Sequence, residues 1–241
     1  MLISIILTIK EESEVNTPTL LSCINQSYTN IEIIVINHKD EEYILPLKDE
    51  RITLYHLPKS NISQARNAGL QKATGEAITF IESPQEIHEE WIEKASQRLH
   101  IAQADAVQCG TMYEREHLIE KLAIANDSLF GFYQRLLVRP TIPINSVVVK
   151  RDLCTLFPED KVLLGDWEFW LTTLKGKKVD VQGEYFGSII HLTKPLDSKN
   201  SLAYEKERLI IMENHFKDLS FSLRKLKQLL AIKALRKNLM A

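Results

Sequence analysis

The sequence predicts an α/β protein: a mixed, mostly parallel sheet flanked by helices and followed by a C-terminal helical appendix. Two observations carry this. The β-branched runs at residues 2–9 and 31–36 lack polar alternation, as strands buried on both faces require. Helix-spaced segments separate such runs, which is the βαβ order of a parallel sheet. A length of 241 residues, 44% of them hydrophobic and 26% charged, is ordinary for a globular chain with a full core.

Taken in order, residues 2–9 and 31–36 are the first two strands, and the helix between them opens with Thr17 at the cap and Pro18 in the first turn. Residues 52–57 give a third strand. Asn61 followed three residues later by Gln64 is a capping box for a helix holding Ala65, Ala68, Leu70 and Ala73, and Gly75 is expected to end it in the left-handed conformation. A strand of Ala77, Ile78, Phe80 and Ile81 follows and stops at Glu82, Ser83 and Pro84. A carboxylate therefore stands where a buried strand emerges, and open α/β sheets bind ligands beyond the carboxyl ends of their strands. Further on, the spacing predicts a helix over 89–103, a strand over 105–113 and one or two helices over 116–137. RPTIP at 139–143 reads as a linker. After it come a strand at 144–150, two short strands within 179–192, a loop at 194–200, and helices over 201–214 and 219–239.

The most specific pattern spans residues 60–86. Ser63, Ala65, Arg66, Asn67, Gly69, Ala73, Gly75, Glu76, Ile78 and Phe80 stand in the register S-x-A-R-N-x-G-x-x-x-A-x-G-E-x-I-x-F. Ser4, Ile5, Ile6, Thr8 and Glu11 fit an opening S-I-I-P-T-Y-N-E, and Asn25, Gln26, Ser27, Tyr28, Asn30, Ile31, Glu32, Ile33, Ile34 and Val35 fit the helix end and second strand that follow it. Asp166, Trp167, Glu168, Trp170 and Leu171, with Gly176, Lys177, Lys178 and Val179, fit E-D-W-E-L-W-L and its continuation. Together these segments resemble the family 2 inverting glycosyltransferases of the GT-A fold, over about residues 2–200.

That resemblance implies a GT-A-like, Rossmann-like domain over residues 1–200, with a nucleotide-sugar half at 1–115 and an acceptor half at 140–200, and C-terminal helices over 201–241. It implies transfer of a sugar, with inversion, from a nucleotide-sugar donor, UDP-linked or a relative, to a hydroxyl of a glycan or lipid-linked acceptor. On the matched positions Asp166 is the catalytic base, and Thr8, Glu11, Asn37, His38, Arg66 and Glu82 form the donor-binding set. Trp167 and Trp170 offer apolar faces for an acceptor sugar. A divalent cation, Mn²⁺ or Mg²⁺, would neutralise the leaving group, held by Glu82 and by His191 near the place of an R-x-H motif.

The departures fall at the chemistry. Leu7 replaces a proline, Lys10 an asparagine, Asn37 and His38 two aspartates, Pro84 the second acidic residue of D-x-D, and Gly165 a glutamate. Asn37 and neutral His38 each retain a hydrogen-bond acceptor, and Arg66 with nearby lysines is an alternative source of fixed positive charge. These substitutions motivate a second reading, a non-catalytic glycosyltransferase-like subunit that binds a nucleotide or a partner enzyme. A sugar nucleotidyltransferase would need a glycine-rich loop after the first strand, and residues 9–15 contain no glycine. Each site residue also has a plain structural role open to it: Asp166 as a helix cap, Arg66 as half of an ion pair, His38 and His191 as packing residues.

Thirty basic against thirty-two acidic residues give a net charge of -2, which recommends no nucleic-acid partner. Cys23, Cys109 and Cys154 are scattered and odd in number, as in a reduced, intracellular chain. The N-terminal apolar run lacks a basic n-region and reads as a strand rather than a signal, and no run approaches the roughly twenty residues that span a bilayer. A cytoplasmic chain is expected. The helix at 219–239 carries Arg224, Lys225, Lys227, Lys233, Arg236 and Lys237 with no acidic residue, so it either packs on the domain or makes peripheral contact with an anionic membrane.

Overall fold

The structure, a computed structural model, describes residues 1–9, 13–115, 118–123, 131–138, 142–161, 163–192 and 202–216. In chain order these form β1 (Ile3–Ile9), α1 (Ser13–Ile24), β2 (Ile31–Asn37), β3 (Ile52–His56), α2 (Ile62–Lys72), β4 (Ala77–Glu82), β5 (Glu86–Ile87), α3 (Trp91–Ile101), β6 (Ala106–Arg115), β7 (Leu118–Leu122), α4 (Phe132–Val138), β8 (Val147–Lys150), α5 (Gly165–Thr173), β9 (Val179–His191) and α6 (Leu202–Phe216). The strands make one sheet in the order β3-β2-β1-β4-β8-β6-β9-β5, with β7 paired to β6 beyond β8. β1 runs parallel to β2 and β4, β2 to β3, and β6 to β9, while β8 is antiparallel to both of its neighbours.

Both faces of this sheet are covered, which is why its central strands are mostly apolar. Ile6, Ile34, Ile36, Ile78 and Phe80 face one core with Trp167, Phe169, Trp170 and Leu171 of α5. Ile3, Ile5, Leu7, Ile33, Val35 and Ile81 face the other with Leu20 and Cys23 of α1 and Trp91, Ile92, Ala95 and Leu99 of α3. Tyr204, Ile211 and Met212 of α6 belong to the first core. Through these residues α6 packs on the first core. The helix expected at 219–239 and the loop at 194–200 lie outside the described residues.

Several local expectations are corrected. Residues 118–122 are a strand, not helix: β7 pairs antiparallel with β6 from Thr111↔Leu122 to Arg115↔Leu118. Cross-strand pairing with a ready partner overrides a weak helical pattern in so short a segment. The two strands expected within 179–192 are one long β9, whose register on β6 shifts on either side of Gly110. α1 begins at Ser13, before the expected Thr17 cap, so Pro18 lies inside it.

Gly75 does not end α2. The helix stops at Lys72, with Ala73 already extended at φ -64° and ψ 132°. Gly75 is required instead by close approach, since a Cβ there would lie 2.6 Å from Ser4 Oγ and 2.7 Å from the Ser4 backbone nitrogen. The approach serves a clamp on Glu32. Its carboxylate accepts hydrogen bonds from Ser4 Oγ at 2.7 Å, Thr74 N at 2.7 Å and Gly75 N at 2.9 Å. Burial works against the charge, but these donors outweigh it and hold the Glu32 carboxyl below its ordinary range. Ser4, Glu32 and Gly75 therefore tie β1, β2 and the turn into β4 together at the end of the sheet away from the site.

Candidate active site

Four parallel strands, in the order β3-β2-β1-β4, end along one edge of the sheet. Chain order reverses between β1 and β4, so the crevice of an open α/β sheet opens there, between Thr8 and its register partner Glu82. α2 starts at this edge. Its capping box forms as the sequence predicts: Asn61 Oδ1 accepts from Gln64 N at 2.9 Å and Gln64 Oε1 accepts from Asn61 N at 2.9 Å.

Arg66, one turn into α2, is 5% exposed and so needs a partner for its charge. Its guanidinium donates to Glu82 Oε2 at 2.9 Å and stands 5.1 Å from the centroid of the Phe157 ring. Asp166, in the first turn of α5, completes the group. Trp167 N donates to Asp166 Oδ1 at 2.8 Å. Burial pushes the Asp166 carboxyl above the ordinary range; the Arg66 charge and the Trp167 N–H pull it back, and the Glu82 charge adds to the rise. Arg66, Glu82 and Asp166, a hundred residues apart in the chain, thus share one electrostatic neighbourhood at the mouth of the β1/β4 crevice.

A second layer fixes their spacing. Asn67 Oδ1 accepts from Phe157 N at 2.8 Å, and Asn67 Nδ2 donates to Phe157 O and to Glu159 Oε1, each at 3.0 Å. Glu159 also accepts from Asn61 through its backbone carbonyl at 3.1 Å and from Gln64 through Oε2 at 3.4 Å. The segment leading to Asp166 is in this way locked to the helix that carries Arg66. The sequence holds a signal for Asn67, which sits beside Arg66 in the matched pattern, but none for Glu159.

Other expected site residues occupy other roles. Thr8 is buried, and its hydroxyl donates to Ile81 O at 3.4 Å. Asn37 lies at the same edge, but its amide is consumed inside the protein: Nδ2 contacts Glu41 O at 2.8 Å and His56 Nδ1 at 2.9 Å, and Oδ1 accepts from Lys39 N at 3.1 Å. It shapes the turn after β2 rather than presenting an acceptor to a base. His38 is 8% exposed, with Nδ1 3.3 Å from Ser60 O. Trp167 and Trp170 are 2% and 0% exposed, and the Trp167 indole N–H donates to Leu136 O at 2.6 Å. Apolar burial claims both rings for the core, so neither faces an acceptor. Glu11 lies outside the described residues.

The expected metal ligands do not come together as a cation site. Glu82 Oε2 is engaged by Arg66, and both ring nitrogens of His191 face carboxylates, Nε2 at 2.7 Å from Glu86 and Nδ1 at 3.1 Å from Glu114. Among the described residues no group of three or more histidine, cysteine, aspartate or glutamate side chains is arranged to hold a metal ion. Among the described residues, Arg66 brings positive charge to the mouth. A surface cavity of about 660 Å³ lies elsewhere, along Tyr43 to Leu54 between β2 and β3, and shares no residue with the Arg66–Glu82–Asp166 group. The charge cluster at the topological switch, not cavity size, marks the site. Among the described residues no helix is long and apolar enough to cross a membrane.

The model of glycosyl transferase family 2 matches residues 4–147, more than half of the chain. An uncharacterized glycosyltransferase of Haemophilus influenzae is 30% identical over 188 residues, covering 75% of this chain and 74% of that protein. Glycosyltransferase GlyG of Streptococcus pneumoniae is 28% identical over 139 residues, 55% of this chain and 43% of its own length. Among solved structures, S. aureus TarS 1–349 in complex with UDP-GlcNAc superposes with a TM-score of 0.73 at 12% identity, covering 98% of this chain and 71% of that one. The mannosyltransferase PcManGT from Pyrobaculum calidifontis, in complex with GDP-Man and Mn²⁺, gives 0.60 at 16% identity, with 96% and 68% covered. The family match and the relative from Haemophilus show that this chain belongs to glycosyl transferase family 2 and is a glycosyltransferase.

Proposed function

We propose that the chain transfers a sugar from a nucleotide-sugar donor, UDP-linked, to a hydroxyl of a glycan or lipid-linked acceptor with inversion, and that Asp166 is the base. The observation that carries this is the convergence of Asp166, Arg66 and Glu82 at one crevice. An acceptor O–H within reach of the Asp166 carboxylate gives up its proton as its oxygen attacks the anomeric carbon from the face opposite the leaving group. The C–O bond to the diphosphate breaks with its electron pair, and the nucleoside diphosphate departs. Arg66 supplies fixed positive charge beside the developing anion, with Glu82 orienting the guanidinium. The complexes of TarS with UDP-GlcNAc and of PcManGT with GDP-Man support a nucleotide-sugar donor. The complex of PcManGT with Mn²⁺ keeps a divalent cation in the proposal, and the donor phosphates would then supply most of its ligands. We place the reaction in the cytoplasm, in polysaccharide or cell-envelope synthesis, by analogy with the family.

The test is calorimetric titration of wild type and Arg66→Ala with UDP, GDP and dTDP, each with and without Mn²⁺. One nucleotide should bind, with at least roughly tenfold loss in the variant, since a charge-assisted hydrogen bond to a phosphate contributes about 1.5–3 kcal/mol. Absence of binding to all three in both conditions overturns the donor assignment. NMR of the glycosidic product then reads the anomeric configuration, and retention overturns the inverting mechanism.

A further inference from the structure

α5 begins without a side-chain cap of its own. Its cap position is Leu164, whose side chain accepts no hydrogen bond; within the first turn Trp167 N is met by Asp166 Oδ1, and the Leu164 amide at the cap needs an acceptor from elsewhere. α6 provides it. Glu207 Oε1 accepts from Leu164 N at 2.8 Å and from Leu163 N at 3.4 Å, the two amides that precede Gly165 and Asp166. The carboxylate also lies at the positive end of the α5 dipole. Tyr204, three residues earlier on the same face of α6, is 9% exposed and close enough to Asp166 for that charge to act on its phenol. Among the described residues, Lys161 and Glu168 also feel the Glu207 charge.

We propose that Glu207 is a positioning residue for the base: by holding the Leu163 and Leu164 amides it fixes the first turn of α5, and with it the place of the Asp166 carboxylate relative to Arg66 and Glu82. α6 lies beyond residues 4–147, which the family model matches, and packs on the first core through Tyr204, Ile211 and Met212. The inference rests on Asp166 being the base.

The test uses the full chain and three probes, UDP-GlcNAc, UDP-glucose and GDP-mannose, following release of nucleoside diphosphate with water standing in for the acceptor. Glu207→Ala should lower kcat roughly ten- to hundredfold, as misplacement by about an ångström does, while KM for the donor stays within about twofold. Glu207→Gln keeps a carbonyl oxygen at the same reach and should restore kcat to within about fivefold of wild type. Amide exchange at residues 163–167 should rise in the Ala variant and not in the Gln variant. A wild-type kcat in Glu207→Ala, unchanged exchange there, or kcat and KM failing together overturns the proposal. Should Glu207→Ala not fold, Glu207→Asp, with its arm one methylene shorter, takes its place with the same expected loss. Asp166→Asn separates the two claims. If it is inactive while Glu207→Ala is unimpaired, positioning alone fails; if it turns over at the wild-type rate, the base assignment fails and takes the positioning claim with it.

Discussion

Asn67→Ala attacks the lock between α2 and the segment that leads to Asp166. Asn67 is 4% exposed, and its amide serves both backbone groups of Phe157 as well as Glu159. Truncation leaves a buried N–H and a buried C=O without these partners, at about 1–3 kcal/mol each. Glu159 retains the bond from Gln64, so little more is lost there. The sum is roughly 3 kcal/mol, and for a chain of this size that lowers the melting temperature by about 6–12 °C. Circular dichroism melts and urea titrations with an unchanged m-value measure it directly. Asn67→Asp sharpens the test: it keeps an acceptor for Phe157 N but sets a second carboxylate against Glu159, so its deficit should shrink as pH falls and one carboxylate takes a proton. A melting point within about 2 °C of wild type for Asn67→Ala would refute the lock, because it would mean that the Phe157 backbone loses nothing with the side chain.

The remaining predictions concern charge and packing. Because burial raises the Asp166 carboxyl, its contribution to stability is present when it is protonated and lost as pH rises through its folded value. Asp166→Asn should therefore abolish transfer yet melt higher than wild type at pH 8, with the gap closing as pH falls toward about 4; a gap independent of pH refutes it. In pH–rate profiles the acidic limb should move up in Arg66→Ala and down in Glu82→Gln, since Arg66 favours the ionised base and Glu82 opposes it. Equal limbs in all three proteins would remove Asp166 as the titrating group. Glu32 has the opposite sign: its stabilisation is present above the ordinary carboxylate value and lost as pH falls through its depressed folded value. The thermal advantage of wild type over Glu32→Gln should accordingly shrink below about pH 4. Gly69→Ala drives a methyl into Ile6, where α2 rests on β1, and should cost roughly 1–3 kcal/mol in denaturant unfolding; an unchanged midpoint would show that the helix can lift.

How much of the site was legible in the chain depends on what each residue touches. Arg66, Glu82 and Asp166 stand at positions of the matched pattern, and the structure brings all three to one crevice. Asn37 was misread. A short amide at a strand end looks like a ligand until the turn after β2 and His56 of β3 are seen to use it. Trp167 and Trp170 are buried: aromatic residues at such positions suit a sugar equally well as a core, and the packing of α5 against β4 places both rings in the core. Glu207 carried no signal, since an acidic residue on an amphipathic helix is ordinary until its partner amides are known.

By itself the sequence determined the parallel strands, the capping box of α2 and the family, because these depend on burial pattern and spacing within a few dozen residues. Only tertiary structure decided that β8 inserts antiparallel between β4 and β6, that residues 118–122 are a strand, that Gly75 serves a clamp rather than a helix end, and that α6 packs into the core near Asp166. Each of these depends on contacts between segments far apart in the chain, where local propensity is weak and the partner that satisfies a backbone group or fills a void decides the outcome.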